Sequence, residues 1–227
     1  MKNLCIIPAR GGSKRIPRKN VKPFLGKPML SYPIEVALET GLFDEVMVST
    51  DDEEIAKIAK QYGAKVPFMR SAETASDFAT LADVLREVLN NYQNDGIVFD
   101  NMCCILATSP MLRSEDISNG YKALLTTNFS SIIPVVLFSY PILRSYKMDD
   151  NYGISYNWPE YEKSRSQDLP PAYHDSGTFY WHKIDLWKVG QISRGGIVVS
   201  EETVQDIDTE QDWKMAEIKY KLLNNKL

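Results

Sequence analysis

Histidine and cysteine are scarce, two and three in 227 residues, which leaves little material for a zinc site or a thiol nucleophile. Cys5, Cys103 and Cys104 lie in apolar runs with no His or Asp at a metal-binding spacing. They read as small buried hydrophobes kept reduced. No apolar run approaches the roughly 20 residues that a membrane helix needs, and runs such as 132–138 have strand length. An excess of positive charge is also missing. The formal net charge of −4 gives no overall attraction to nucleic acid or an anionic membrane, so any basic site must be local. The opening Met1-Lys2-Asn3-Leu4 runs into a strand pattern without signal-peptide character. With the unpaired cysteines, that gives the expectation of a cytoplasmic protein.

What is present is an alternation of short β-like runs and amphipathic helical patterns, which predicts an α/β layer structure in a single domain, 1–227. The strand candidates are 3–8, 45–50, 102–107, 131–138, 178–182 and 197–199, with 65–68 as a short addition. Ile55, Ile58, Ala59 and Tyr62 keep helical spacing, and Leu81, Val84, Leu85, Val88, Leu89 and Tyr92 extend the same rule over three turns. Ser114 ahead of Glu115 and Asp116 predicts an N-cap, with Ile117, Leu124 and Leu125 facing inward. Thr209 and Asp212 predict a capped final helix carrying Trp213, Ala216 and Tyr220 on one side. Residues 139–173 break the rhythm with Pro141, Pro159, Pro170, Pro171 and several tyrosines. So long a stretch without apolar periodicity predicts an excursion that covers a substrate or meets a partner subunit.

The most informative segment is Ile6-Ile7-Pro8-Ala9-Arg10-Gly11-Gly12-Ser13-Lys14-Arg15-Ile16-Pro17-Arg18-Lys19-Asn20. A buried strand ends at Pro8. Gly11 and Gly12 then allow a tight turn that presents backbone N–H groups to an anion. Arg10, Lys14, Arg15, Arg18 and Lys19 follow in an otherwise acidic chain, a local positive funnel at the carboxyl end of a sheet strand. The segment is neither a P-loop, Gly-x4-Gly-Lys-Ser/Thr, nor a dinucleotide-binding Gly-x-Gly-x-x-Gly.

Ala9, Arg10, Ser13, Lys14, Lys19 and Asn20 resemble the Ala-Arg-x-x-Ser-Lys-x4-Lys-Asn motif of the CMP-sialic acid synthetase family. Similar segments continue in order: Val48-Ser49-Thr50-Asp51-Asp52, Arg70 to Asp77, Thr108-Ser109-Pro110 with Arg113, and Gln205-Asp206-Ile207-Asp208-Thr209. The resemblance implies a three-layer α/β/α nucleotide-diphospho-sugar transferase fold, Rossmann-like, with a mostly parallel central sheet and a small dimerisation lobe at 139–173. It implies that Ala9, Arg10, Gly11, Gly12, Ser13, Lys14 and Lys19 hold the triphosphate of CTP. Asn20, Ala79 and Thr80 would face the cytidine, Arg70 and Asp77 would shape its pocket, and Asp206 and Asp208 would hold Mg²⁺. Arg10, Lys14, Lys19 and Asp208 would carry the chemistry. The expected partners are CTP, a nine-carbon acidic sugar and a second copy of the chain, with no nucleic acid and no membrane.

These residue types suit that chemistry. Attack of a sugar hydroxyl on the α-phosphate, with pyrophosphate leaving, needs charge neutralisation and in-line positioning more than covalent help. Mg²⁺ favours carboxylate oxygens and keeps waters. In an extended Asp206-Ile207-Asp208 both carboxylates fall on one side, with Ile207 turned to the core. Activation of the sugar hydroxyl would fall to Asp208 or to the ion beside it.

At the position where the sialic acid enzymes carry a sugar-contacting glutamine, this chain has Leu106. Loss of an amide removes a hydrogen bond to a polar substrate and implies a sugar with different stereochemistry or a less exposed hydroxyl. Arg165, Gln167, Asp168 and Leu169, then Tyr173, His174, Asp175 and Gly177, resemble the pseudaminic acid cytidylyltransferases, as does the run 27–38. By that resemblance Leu106, Thr108, Ser109, Arg165, Gln167, His174 and Asp175 lie on the sugar side, with an arginine suited to the sugar carboxylate. Tyr173, Tyr180 and His182 read as structural. Sialic, legionaminic and keto-deoxy-octulosonic acids remain as alternative sugars. A non-catalytic nucleotide sensor would not need the Asp206 and Asp208 pair, and a glycosyltransferase of the related fold would place an Asp-x-Asp in mid-chain, where this sequence has none.

Overall fold

The computed structural model describes residues 1–225. The chain opens with β1 (Asn3–Pro8), the short pair β2 (Pro23–Phe24) and β3 (Lys27–Pro28), then α1 (Ser31–Glu39). Next come β4 (Glu45–Ser49), α2 (Glu53–Gln61), the single turn α3 (Ala72–Ala75) and α4 (Leu81–Asn94). β5 (Asn101–Ile105), α5 (Ser114–Thr126) and β6 (Ser131–Leu137) follow. The excursion holds β7 (Tyr146–Met148) and β8 (Ile154–Tyr156), and the chain returns through β9 (Tyr173–Asp175) and β10 (Phe179–Lys183). It ends with α6 (Ile184–Lys188), β11 (Arg194–Val198) and α7 (Glu210–Leu223).

The central sheet has the order β11-β6-β10-β5-β1-β4, with β9 added on β6. β1, β4, β5, β6 and β11 run one way, and β9 and β10 run against them. β1 alternates side chains between two helical layers, as a strand buried on both faces must. Cys5 and Ile7 pack with Ile34 and Ala37 of α1, Ile55 and Ala59 of α2, and Ile117 and Leu124 of α5. Leu4 and Ile6 pack on the other face with Leu85, Val88, Leu89 and Tyr92 of α4 and Trp187 of α6. The expected three-layer α/β/α architecture is therefore present.

A third cluster lies off the sheet: Ile16, Phe24, Met29, Tyr32, Met111, Ile207, Trp213 and Ala216. It binds the loop after β1, the β2–β3 pair, the 109–112 turn and α7 into one body. Burying an aliphatic side chain of this size contributes about 1.5–3 kcal/mol. Ile16 and Ile207 thus fix two distant polar segments next to each other.

Several expectations shift in detail. The predicted strand 102–107 begins at Asn101 and stops at Ile105, so Leu106 and Ala107 leave the sheet. β4 stops at Ser49, which frees Thr50 for the turn. β11 begins three residues earlier than expected, because Gly195 and Gly196 pair alongside β6 with Ile132 and Ile133. Of 65–68 only a single bridge from Lys65 to Met47 forms. Ser114 is not the cap of α5. Arg113 takes that extended position and donates to Asp116 at 2.7 and 2.9 Å, while Ser114 Oγ lies 3.5 Å from Glu39. Leu125 is 43% exposed, since α5 turns Ile117, Gly120 and Leu124 to the sheet and the next residue points roughly 100° away. A Cβ on Gly120 would stand 2.9 Å from Phe179 and Trp181, so the helix approaches the sheet this closely only with glycine there. Thr209 and Asp212 form the predicted reciprocal cap of α7.

Candidate active site

The loop that leaves β1 is pinned to the sheet and to itself. Ala9 N–H donates to the Ser49 carbonyl at 2.9 Å, closing the loop against the end of β4. Asn20, nearly buried, donates its amide to the Arg10 carbonyl at 2.9 Å and accepts from Leu30 N–H on its own carbonyl at 2.9 Å. Between these ties Ile16 is fully buried and the basic side chains are left on the outside. Neither glycine is required by a left-handed backbone, and only Gly11 is required by size. Neither has a positive φ, whereas Arg18 has φ 57°. A Cβ on Gly11 would meet Asp52 Oδ2 at 2.7 Å, and one on Gly12 would meet nothing within 4 Å. The Gly11 N–H donates to Asp51 Oδ1 at 3.0 Å.

The loop is not a bare positive funnel, which corrects the reading from composition. Each of its cations faces a carboxylate from elsewhere in the chain. Asp77 takes Arg10 at 2.9 Å and Lys14 at 2.5 Å. Asp208 takes Arg15 at 2.7 Å and stands 3.7 Å from Lys19. Arg18 pairs with Asp52 and Glu54. The Arg18 guanidinium holds the Asp52 carboxyl down at about 2, and Asp52 also caps α2 by accepting from Ile55 N–H at 3.0 Å. Hydrogen bonds from Lys14 and then Arg10 hold the Asp77 carboxyl below its ordinary value.

The segment 204–208 has no regular secondary structure, and it presents Asp206 to solvent and Asp208 half-buried, with Ile207 1% exposed between them. Lys19 reaches across to donate to the Ile207 carbonyl at 2.5 Å. Burial lowers the Lys19 pKa, against the pull of Asp208 and Asp206 toward the charged form. Among the described residues no cluster of three His, Cys, Asp or Glu exists. Asp206 and Asp208 are two hard carboxylates, a donor pair that would fit Mg²⁺ only with the rest of its shell made up by phosphate oxygens and water.

Pro8, Arg10, Ser13, Lys14, Arg15, Lys19 and Asn20 share one cavity of about 410 Å³ with Leu106, Ala107 and Thr108 from the β5 exit. The two segments meet because β1 and β5 are parallel neighbours and both loops leave from their carboxyl ends. Ser109, at the floor of the same turn, is buried and its carbonyl accepts from Leu112 N–H at 3.3 Å. Arg70 is not open to the cavity. Its buried guanidinium donates to Ser49 Oγ at 3.1 Å and to the Ser49 carbonyl at 2.5 Å, and desolvation lowers its pKa. It shapes the end of β4. Ala79 lines a different hollow of about 540 Å³ against α4, with Phe78, Arg86 and Asn90, and Thr80 caps that helix.

The remaining sugar-side candidates are not brought into the cavity beside the cationic loop by one chain. Arg165 is exposed and paired with Asp168 at 2.8 Å, and Gln167 lies beside it on a short 3₁₀ turn at 166–168. His174, on β9, rests its ring 4.9 Å from Phe138 and its Nδ1 2.9 Å from the Asp175 carbonyl. Asp175 accepts from Gly177 N–H at 2.7 Å and from the Tyr180 hydroxyl at 3.1 Å on each oxygen. Sequence reasoning passed over Arg15, which lines the cavity and holds Asp208, although its place in the loop signalled it. It also set Tyr180 aside as packing. Nothing in a strand flanked by buried Phe179 and Trp181 reveals a tyrosine that grips a carboxylate across the chain turn.

The chain matches the cytidylyltransferase family model over residues 4–153, a span that carries β1, the cationic loop and the β5 exit. It is 42% identical over 226 residues to a pseudaminic acid cytidylyltransferase of Campylobacter jejuni, covering 98% of this chain and 97% of that protein. It is 34% identical over 218 residues to N-acylneuraminate cytidylyltransferase B of Danio rerio, covering 93% of this chain and 50% of that one. A solved CMP:2-keto-3-deoxy-manno-octonic acid synthetase complexed with CTP shares the fold, with a TM-score of 0.73 over 100% of both chains at 20% identity. The pinned cationic loop lies within the matched span and the acidic couple within the full-length alignment, and the chain belongs to the cytidylyltransferase family of nucleotidyltransferases.

Proposed function

We propose that the protein transfers CMP from CTP to pseudaminic acid, releasing pyrophosphate. The observation that carries this reading is the shared cavity, which joins six polar or cationic loop residues to a wall of Leu106, Ala107 and Thr108. A phosphate chain lying along Arg10, Ser13, Lys14 and Lys19 puts its α-phosphate toward that wall, where the acceptor sugar would sit. The sugar hydroxyl oxygen forms the new bond to the α-phosphorus, the bond to the β-phosphate oxygen breaks, and pyrophosphate leaves with the electron pair. Lys14, Lys19 and Arg10 stabilise the charge that gathers on the phosphoryl oxygens. Asp208, paired with Arg15 at 2.7 Å, takes up the hydroxyl proton. Mg²⁺, held by Asp206 and Asp208, would supply further charge neutralisation at the phosphates.

Pseudaminic acid is the preferred acceptor because Leu106 offers no hydrogen bond where a more hydroxylated sugar would need one, and because the relative with near-complete coverage carries that name. The excursion supports a homodimer. From Leu137 to Asp175 no residue is buried, yet Tyr140, Tyr146, Met148, Tyr152 and Ile154 are more than half exposed. Such a lobe lacks a core of its own, and a second copy would cover it and carry its Arg165 and Gln167 to a neighbouring cavity. Among the described residues no helix is long and apolar enough to cross a membrane.

The test is release of pyrophosphate from CTP and Mg²⁺ with pseudaminic, N-acetylneuraminic or legionaminic acid as acceptor. The proposal expects turnover that depends on all three components and is fastest with pseudaminic acid. Faster turnover with N-acetylneuraminic acid would replace the acceptor assignment, and no turnover with any of them would remove the activity.

A further inference from the structure

Among the described residues Asp77 is the one carboxylate that bridges two cations of the cavity from outside both the loop and the acidic couple. Its Oδ1 meets Arg10 at 2.9 Å and its Oδ2 meets Lys14 at 2.5 Å. One oxygen on each of two cations is the arrangement that a bridging phosphoryl group would adopt on the same pair. Asp77 stands on a strap whose ends are fixed. Ser71 caps α3 on one side, and the reciprocal Thr80 and Asp83 bonds cap α4 on the other. The adjoining Phe78 is 95% exposed, so the strap itself is not packed down.

A carboxylate beside two arginine or lysine groups can either aim them or occupy them. The loop contains an example of aiming. Asp52, whose side chain is 21% exposed, caps α2 and sets Arg18 with two hydrogen bonds from one guanidinium. Asp77 differs on each count. Arg10, Lys14 and Asp77 have side-chain exposures of 40%, 77% and 45%, no second bond fixes the Asp77 carboxylate, and the strap holds no buried residue near it. Exposed pairs of this kind are weak and exchange readily.

Resting on the phosphate-loop reading above, we propose that Asp77 is an internal anion of the site, occupying Arg10 and Lys14 until a phosphate chain displaces it and returning to them as pyrophosphate departs. It lowers the hold on every phosphate chain. CTP recovers the loss through its nucleoside, and pyrophosphate has nothing further to hold. Asp77 is therefore a determinant of product release rather than a CTP ligand.

The experiment is calorimetric binding of inorganic pyrophosphate, with Mg²⁺, to the full-length protein and three variants. Asp77→Asn keeps the shape and removes the charge, and is expected to bind pyrophosphate about three- to tenfold more tightly, the range that two exposed ion pairs can supply. Its product inhibition by pyrophosphate should strengthen by the same factor. Asp77→Glu retains the charge and should bind as the parent does. Equal or weaker pyrophosphate binding by Asp77→Asn would show that the carboxylate aims the cations and would overturn the inference, as would equal tightening by Asp77→Glu. Lys14→Met separates this from the underlying reading. If it weakens binding at least about fivefold, the loss expected of a phosphate ligand, the loop is the phosphate site whatever Asp77 does. Unchanged binding in Lys14→Met would overturn the loop reading and the inference with it.

Discussion

Lys19 Nζ stands 3.7 Å from Asp208 Oδ1, and at that point the first loop of the chain meets the last. The contact is a product of packing. Ile16 beneath the loop and Ile207 between the two aspartates are buried in the same cluster as Phe24 and Trp213. Two apolar residues thus hold a cationic and an acidic segment together, where their charge attraction in a solvated chain would be weak.

Replacement of Asp208 separates catalysis from binding. Asp208→Ala is expected to lower kcat on the order of 100-fold while the Kd for CTP stays within about threefold, because the basic loop remains. Steady-state turnover beside equilibrium CTP binding checks this, and parental turnover in the variant would remove Asp208 from the chemistry.

In the proposed function Leu106 sets the acceptor through what it does not offer. Leu106→Gln should raise kcat/KM for N-acetylneuraminic acid relative to pseudaminic acid by about tenfold, the scale of one hydrogen bond gained on one sugar and an unmet amide on the other. An unchanged ratio would place selectivity elsewhere in the cavity.

Gly11 and Gly12 are expected to differ in stability despite their adjacency. A Cβ at Gly11 would lie 2.7 Å from Asp52 Oδ2, so Gly11→Ala must move the residue that caps α2 and holds Arg18. The cost is about 1–2 kcal/mol, or roughly 3–6 °C in Tm for a chain of this size. Gly12→Ala meets no atom within 4 Å and should leave Tm nearly unchanged. Thermal unfolding of the two variants side by side decides it, and equal effects would contradict the packing account.

Acid stability carries the mark of the Arg18 and Asp52 pair. The folded carboxyl is held at about 2, below its ordinary 3.8. A depressed carboxyl contributes stability that is complete above the unfolded value and lost as pH falls through the folded one. Asp52→Asn keeps an acceptor for Ile55 N–H and gives up the charge. Its Tm deficit should be full above about pH 5 and should close as pH falls toward about 2. A deficit independent of pH would mean that the pair contributes shape alone.

The exposed lobe predicts a dimer. Met148 and Ile154 sit opposite each other on β7 and β8, 67% and 59% exposed. Ile154→Asp should raise the dimer dissociation constant about tenfold or more, as loss of an apolar interface residue does. Sedimentation of the parent as a stable monomer at micromolar concentration would refute the assignment.

The strands and the phosphate loop were legible because their signals are local. β1 and the loop are adjacent in sequence, and the period of α4 repeats over three turns. Thr209 and Asp212 announced their cap for the same reason. What escaped depends on distant partners. Arg113 displaced Ser114 from the cap of α5 by pairing with Asp116, and Leu125 turned outward because Gly120 brings a different stripe of that helix to Phe179 and Trp181. The carboxylates that face Arg10, Lys14, Arg15 and Lys19 come from the strap before α4 and the segment before α7, so a local count of charge saw a bare positive loop where the fold makes a partly compensated one.

The central claim is where the nucleotide lies, and a crystal structure with CTP and Mg²⁺ tests it most directly. The account predicts the triphosphate along Arg10, Ser13, Lys14 and Lys19, with the ion at Asp206 and Asp208 and the α-phosphate facing Leu106 to Thr108. Phosphates seated instead in the hollow beside Arg86 and Asn90 of α4, with the loop still paired to Asp77 and Asp208, would contradict it.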